Sequence, residues 1–505
     1  MTRDPRTTLS DSSRRAVLVG VGTAIQDAPP GEGDDAIGLM VRAARAAAAD
    51  AGSAALLTRV ERIAVTQGSW SAPDAGRTIA RSIGAQATEA PAVAAQPPTS
   101  HLVQLGIPQQ TLIDQALTAI GRGEIEAALV VGGEAKARDD RARRAGIELP
   151  PPDDPGTRPD AVHTPSAEIV TQAELALRFF IPVQQYAAID NALRIAERLT
   201  IAEHLAAIDA LWARFDAIAA TNPSAAFAGP RTAAQLRATE PDNRMLAFPY
   251  HKWHAAQWNV DQAAALLLCS ERLADALGID RERRLHALVS LESSHSVPLI
   301  RRAHLHRWQA MHELGRAAAN YLGSPLAELD LVELYSCFPA AVRVQQRELE
   351  LPLDGTPTLT GGMPFAGGPF NNFVFQATAT MAGQLRARPG SRGMVTTVSG
   401  LLTKPGLAVW STEPGERASL LGDRADAAAA ATPEVDVADD YAGPAVVATY
   451  TVRPGNDGLE VVIIADTPDG RRVAAVITDS DVAERAMSEE LIGAALTVDS
   501  LVARI

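Results

Sequence analysis

The sequence has 505 residues, more than one ordinary domain needs, and its 46 basic and 60 acidic side chains leave a net charge of −14. An acidic surface argues against nucleic acid and anionic membranes as partners, and no apolar run approaches the roughly 20 residues of a membrane span. The two cysteines, Cys269 and Cys337, exclude a disulfide framework and a cysteine-rich zinc site.

Residues 1–13 are polar and read as disordered. Ser13-Arg14-Arg15 ahead of an apolar stretch imitates a twin-arginine export signal. Gly20 and Gly22 break that stretch and no small-residue cleavage site follows. The segment therefore reads as a polar tail before a buried strand, and the expected compartment is the cytoplasm. A strand over 16–21 and an alanine-rich helix over 36–51 come first. A strand over 62–66, a helix over 75–83 and a strand over 91–95 follow. A helix over 109–120 and a strand over 127–131 close the series. Strands alternating with helices of this size imply βαβ units with helices on both faces of a largely parallel sheet.

The same order returns later. Strands are expected over 285–290, 330–335 and 394–398, and helices over 307–322, 337–350 and 371–387. Between the two series, roughly 133–280, lies a stretch rich in alanine, proline and charge, with helices near 168–180, 182–198 and 202–220. It reads as an insertion on the core. Residues 415–440 read as a linker. From Pro444 the pattern is antiparallel: strands over 445–452, 459–465 and 471–478, a helix near 480–490 and a last strand near 495–504. A small OB-like barrel fits. The expected units are 14–280, 281–414, the linker 415–440, and a barrel over 441–505.

Gly20-Val21-Gly22 is half of a dinucleotide fingerprint, but Ile25 stands where its third glycine belongs and no helix starts at once, so it does not read as a nucleotide site. The most unusual stretch runs from Gly361 to Asn372. Gly361, Gly362, Gly367 and Gly368 permit close backbone approach to a ligand. Helical pattern resumes right after, so free N–H groups at the helix start can face a ligand oxygen. Asn371 and Asn372 can donate to a carbonyl or cap the helix. His251 and His254, like His304 and His306, lack a completing ligand and read as structural; no metal is expected. Cys337 lies where a strand turns into a helix, a place that lowers a thiol pKa and leaves a nucleophile open. No histidine obviously pairs with it, which favours a buried inert thiol. Cys269 sits in an apolar run and reads as core. Tyr335 ends a strand, a usual place for catalytic groups in open α/β sheets.

These pieces resemble the thiolase superfamily over about 14–412. The likeness is carried by Val17–Thr23, by Gly121-Arg122-Gly123-Glu124 and Val131-Gly132-Gly133-Glu134, by Asn259–Ala265, and by the loops Val332–Phe338, Gly361–Asn372 and Val395–Gly406. With the extra C-terminal module the chain looks most like thiolase-like proteins of type 1, in the acetyl-CoA acetyltransferase family. The resemblance implies an α/β thiolase fold: two similar βαβαβ halves in five αβαβα layers, followed by a small antiparallel OB-like barrel. It implies a coenzyme A thioester as substrate or ligand with no resident cofactor, a place in lipid metabolism, no nucleic-acid or membrane partner, and a monomer or homodimer.

The departures from the family pattern bear on chemistry. The nucleophilic cysteine falls at Gly106, the histidine of a Gly-His-Pro motif at Gly368 before Pro369, and the second cysteine near Val398 or Ser399. The asparagine or histidine of a further loop falls at Tyr335, beside Ser336 and Cys337. Ordinary Claisen condensation or thiolysis needs an acyl-cysteine and a proton-transferring partner, so it is not expected. Some steroid-degrading relatives cleave a carbon–carbon bond by retro-aldol chemistry with tyrosines and an OB-fold partner, and Tyr335 stands where one such tyrosine would be. The resemblance thus implies catalytic roles for Tyr335, Ser336, Cys337 and Ser399. It implies substrate binding by Gly106, Gly367, Gly368, Pro369, Asn371, Asn372 and Lys404. Three readings follow: an acyl-CoA-binding homologue with altered acyl-transfer chemistry, a retro-aldol lyase on a β-hydroxyacyl-CoA, or a non-catalytic CoA-binding or partner protein.

Overall fold

The structure, a computed structural model, describes residues 14–85, 97–165, 168–227 and 229–505. The expected tail 1–13 and the expected strand over 91–95 lie outside the described residues.

The first series is β1 (Ala16–Ile25), α1 (Ala36–Asp50), β2 (Arg62–Thr66), α2 (Ala75–Ile83), β3 (Thr99–Val103), α3 (Gln110–Gly121) and β4 (Ala127–Ala135). It closes, after an insertion, with β8 (Asp261–Ser270) and α9 (Glu271–Ala276). The second series is β9 (Leu285–Glu292), α10 (Gln309–Leu322), β10 (Leu331–Glu333), α11 (Pro339–Glu348), α12 (Phe373–Arg386), β11 (Arg392–Ser399) and β12 (Lys404–Ser411). The two series share one pairing scheme. β2 runs parallel to β4, β4 antiparallel to β8, and β8 antiparallel to β1. Likewise β10 runs parallel to β11, β11 antiparallel to β12, and β12 antiparallel to β9. The halves meet where β1 pairs with β9 over two residues, at Val17 and Leu18.

β3, β8 and β12 were not anticipated, each for a physical reason. Every residue of β8 and β12 is buried, and a strand covered on both faces shows no polar alternation. β12 also carries Pro405 and Gly406 right after its first residue, and these argue against a strand. β3 begins directly after Pro97-Pro98, read as a terminator.

Along β8 the side chains alternate between two packed layers. Ala263, Ala265, Leu267 and Cys269 pack with α1 and α2. Ala264, Leu266 and Leu268 pack with α3 and α12. The helices α3 and α12 each touch strands of both halves, so they form the central layer. α10 covers β9 and β12.

The insertion between β4 and β8 contains α4 (Lys136–Arg144), β5 (Ala161–His163), α5 (Gln172–Ala176), α6 (Pro182–Ala196), α7 (Ile201–Ala219), α8 (Ala233–Arg237), β6 (Met245–Ala247) and β7 (Tyr250–His251). α7 starts on a reciprocal cap in which Thr200 and Glu203 satisfy each other's backbone N–H groups. The Tyr250 hydroxyl donates to Asp190 of α6 (2.7 Å) and accepts from the Ala340 N–H of α11 (3.1 Å), which fixes the insertion to the second half. The first of the two histidine pairs is structural: His254 bonds Asp209 (2.8 Å) and His251 bonds Thr239 (2.9 Å).

Residues 415–440, expected as a linker, contain β13 (Leu420–Asp423), which pairs with β9, and α13 (Ala425–Ala431), which packs on α10. The chain ends in a closed five-stranded barrel of β14 (Ala442–Pro454), β15 (Leu459–Asp466), β16 (Arg472–Ile477), β17 (Ala495–Asp499) and β18 (Val502–Arg504), with α14 (Ser480–Arg485) between β16 and β17. The strand order is β14-β15-β16-β18-β17, with β16 and β18 parallel. It docks on the insertion through buried contacts: Asn191 donates to the Tyr450 carbonyl (3.0 Å) and Phe248 N–H to the Val452 carbonyl (2.8 Å).

Candidate functional site

The central helices α3 and α12 both begin without a capping side chain, so their first N–H groups need partners from elsewhere. Gln109, just before α3, supplies one across the two halves. Its Oε1 accepts from the Val374 N–H in the first turn of α12 (2.9 Å), and its Nε2 donates to Asn371 Oδ1 (3.1 Å). Asn371 and Asn372 are 6 % and 1 % exposed. Asn371 Nδ2 and both polar atoms of the Asn372 amide have no partner among the described residues, and neither has Thr397 Oγ1. A buried unpaired polar group costs roughly 1–3 kcal/mol, and here three such amide atoms gather at one helix start. Gly132 of β4 makes the room: a Cβ there would lie 2.7 Å from Asn372 Oδ1.

Tyr335 joins this group. Its hydroxyl hydrogen-bonds Gln109 and its ring meets Phe373 edge-on at 5.7 Å. Burial, reinforced by Cys337, pushes its hydroxyl far above the ordinary tyrosine value. Burial likewise pushes the Cys337 thiol to about 12, against a hydrogen bond from Tyr186. Both groups are therefore protonated at neutral pH and serve as donors, not nucleophiles. Cys269 is also pushed to about 12 by burial, and it faces the α1 and α2 layer on the far side of the sheet.

The remaining expected residues fall around this cluster. Ser336 is fully buried and its hydroxyl accepts from the Met363 N–H (3.1 Å), so it anchors the glycine-rich loop. That loop's N–H groups are largely used within the chain: Gly368 donates to the Gln257 carbonyl (2.9 Å) and Phe370 to the Gly368 carbonyl (2.6 Å). Gly367, at φ +100°, lies against the Gln262 amide, with no space for a Cβ. Pro369 follows and has no N–H to offer. What the loop presents is thus the amide pair at its end.

Gly106, Ser399 and Lys404 form a second group. Ser399 pairs with Lys404 across the end of the β11–β12 hairpin. Lys404 is 3 % exposed, and its Nζ donates to the Gly106 carbonyl (3.1 Å). Gly106 and Gln109 lie three residues apart, so the two groups flank one short segment.

Two contributors were missed by sequence reasoning. Gln109 carries no motif. Glu333 is fully buried and accepts from Leu359 N–H (2.6 Å), Thr360 N–H (2.9 Å) and the Thr358 and Thr360 hydroxyls (3.0 Å each), which fixes the approach to the glycine loop. Burial raises its carboxyl to about 7 despite those bonds. Its place two residues before Tyr335 in Glu-Leu-Tyr was the available signal. Among the described residues no group of three or more His, Cys, Asp or Glu side chains could hold a metal ion, and no helix is long and apolar enough to cross a membrane.

Comparison with known proteins gives the lineage. The family model of the thiolase-like protein type 1 additional C-terminal domain matches residues 426–500. A monomeric SCP2-thiolase-like protein type 1 from Mycobacterium smegmatis superposes with a TM-score of 0.81 at 26 % identity, covering 98 % of this chain and 99 % of that one. The C-terminal barrel matches the additional domain of type 1 thiolase-like proteins, and the whole chain has the fold of a type 1 thiolase-like protein. More distant structures share the fold alone. The Ltp2–ChsH2(DUF35) aldolase has a TM-score of 0.57 at 17 % identity, and human mitochondrial 3-ketoacyl-CoA thiolase 0.54 at 16 %; each matches over 79 % of this chain and 98 % of its own. No match was found among curated proteins.

Proposed function

We propose that this type 1 thiolase-like chain binds an acyl-CoA thioester, whose carbonyl is received by the amides of Asn371 and Asn372, and that it acts without a thiolate nucleophile. The observation that carries this reading is the set of orphaned, buried amide atoms at the start of α12. A thioester carbonyl accepts from such donors and, unlike an anion, needs no counter-charge. The absence of a thiolate is supported by Gly106 at the family's nucleophile position and by two cysteines whose thiols burial raises to about 12. A thiolase neighbour whose name carries 3-ketoacyl-CoA supports the ligand class.

Calorimetry with acetyl-CoA and CoA tests the reading. We expect binding in the micromolar to millimolar range, weakened about tenfold in Asn371→Leu and in Asn372→Leu, and no thiolysis of acetoacetyl-CoA. No heat of binding at millimolar ligand, with the variants unchanged, would overturn it. A second reading, a retro-aldol lyase on a β-hydroxyacyl-CoA, is favoured by Tyr335, a protonated hydroxyl hydrogen-bonded to Gln109 in the same cluster. Tyr335→Phe separates the two: it should abolish lyase turnover and leave thioester binding within a few-fold.

A further inference from the structure

The 46 basic residues include only three lysines, Lys136, Lys252 and Lys404; all the others are arginine. Where this chain needs a fixed cation, arginine is its usual choice. Two of the lysines sit at the surface of aromatic rings, Lys136 4.5 Å over Trp258 and Lys252 5.1 Å over Trp253, and Lys136 also has Asp140 at 3.9 Å. These are ordinary ammonium environments.

Lys404 differs in every respect. It is 3 % exposed, it opens β12, and among the described residues it has neither a carboxylate within salt-bridge distance nor an aromatic ring beneath it. Among the described residues its one side-chain hydrogen-bond partner is neutral, the carbonyl of Gly106. Arginine cannot lose its proton, whereas a buried lysine without a counter-charge readily does. Burial does lower the Lys404 pKa from its ordinary value. The amine also stands at Gly106, on the segment that continues to Gln109.

We propose that Lys404 is an amine nucleophile that captures a ketone-bearing acyl group, a 3-oxoacyl thioester, as a Schiff base. The Nζ lone pair adds to the ketone carbon, giving a carbinolamine. Its C–O bond then breaks, and the oxygen leaves as water with the two protons of the amine, leaving a C=N bond. No redox partner is needed. The proposal rests on the thioester reading above, in which Asn371 and Asn372 receive the thioester carbonyl.

The test is cyanoborohydride trapping on the full chain, with peptide mass mapping, using acetoacetyl-CoA, acetyl-CoA and ethyl acetoacetate. We expect one covalent adduct per chain from acetoacetyl-CoA, on the peptide that contains Lys404. Acetyl-CoA, which has no ketone, should give none, and neither Lys404→Arg nor Lys404→Met should be labelled by any probe. Mapping on the unaltered chain decides the matter even if both variants misfold. An adduct from ethyl acetoacetate alone would uphold the amine while removing the CoA reading. Calorimetric binding of acetoacetyl-CoA with no adduct would overturn the amine and leave the CoA reading standing. No adduct from either ketone, or equal labelling of Lys136 and Lys252, would also overturn it.

Discussion

The helices α3 and α12 hold equivalent places in the two halves, each leading into the strand that runs parallel to its neighbour, yet their first turns are built differently. The α12 start carries neutral amides, Asn371 and Asn372, held by Gln109 from the other half. The α3 start carries a carboxyl cluster: Asp114 accepts from Gln110 and Ser290, and Thr111 donates to Glu292 of β9, with Asp423 of β13 nearby. Burial raises Asp114 to about 7 and, with Asp114 as a like-charged neighbour, raises Glu292 to about 8. The carboxyls at the α3 start can change charge near neutral pH, whereas the amides at the α12 start cannot. That contrast assigns pH sensitivity to the α3 side and ligand contact to the α12 side, and each of the following changes strains it.

The largest effect should come from Glu333→Ala. Four donors lose their acceptor in a fully buried setting. We expect a loss of about 3–5 kcal/mol in urea unfolding, together with loosening of the loop that leads to α12. A loss under 1 kcal/mol would mean that the loop is held by its backbone alone.

The next effect is a pH dependence with a definite sign. A carboxyl whose folded pKa is raised keeps its proton longer in the folded state than in the unfolded one. Stability from this pair is therefore undiminished below about pH 4, falls as pH rises through the window to about 8, and is level above it. Asp114→Asn keeps an acceptor for Gln110 and Ser290 but cannot ionise. It should flatten that decline and raise stability at pH 8 by roughly 2–4 kcal/mol, read from unfolding midpoints across pH 4–9. Acyl-CoA affinity should change little over the same range. An affinity that falls in step with stability would end the division between the two helix starts.

The limits of sequence reasoning follow the same line. Period made α1, α2, α7 and α12 legible to within a few residues, and the weak alternation of β14 with the Pro/Gly/Asn/Asp turns between strands made the barrel legible. β8 and β12 were not, because strands buried on both faces carry no alternating pattern. At the site, Asn371, Asn372 and Tyr335 were legible from a loop motif and a strand end. Gln109 was not: nothing local distinguishes it from Gln110, and its role comes from α12, more than 260 positions away. Gln109→Ala measures that long-range tie. It removes the partner of Val374 N–H and of Asn371 at once, and we expect a loss of about 2–3 kcal/mol, with acyl-CoA binding weakened in parallel. Gln110→Ala should leave binding unchanged, since its amide faces Asp114 and Ser290.

The smallest stability effect should also be the most diagnostic. Asn372 is 1 % exposed and its amide bonds nothing among the described residues. If it were there for the fold alone, replacing it would do no good. If it waits for a ligand, the folded chain carries an unpaired amide at a cost, and a leucine of similar volume removes that cost. We therefore expect Asn372→Leu to be neutral or to stabilise the chain by about 1 kcal/mol while acetyl-CoA binding weakens about tenfold. A rise in melting temperature paired with a fall in affinity is the signature of a binding group. Destabilisation by more than 2 kcal/mol would instead make Asn372 part of the scaffold and would return the question to Asn371 and Lys404.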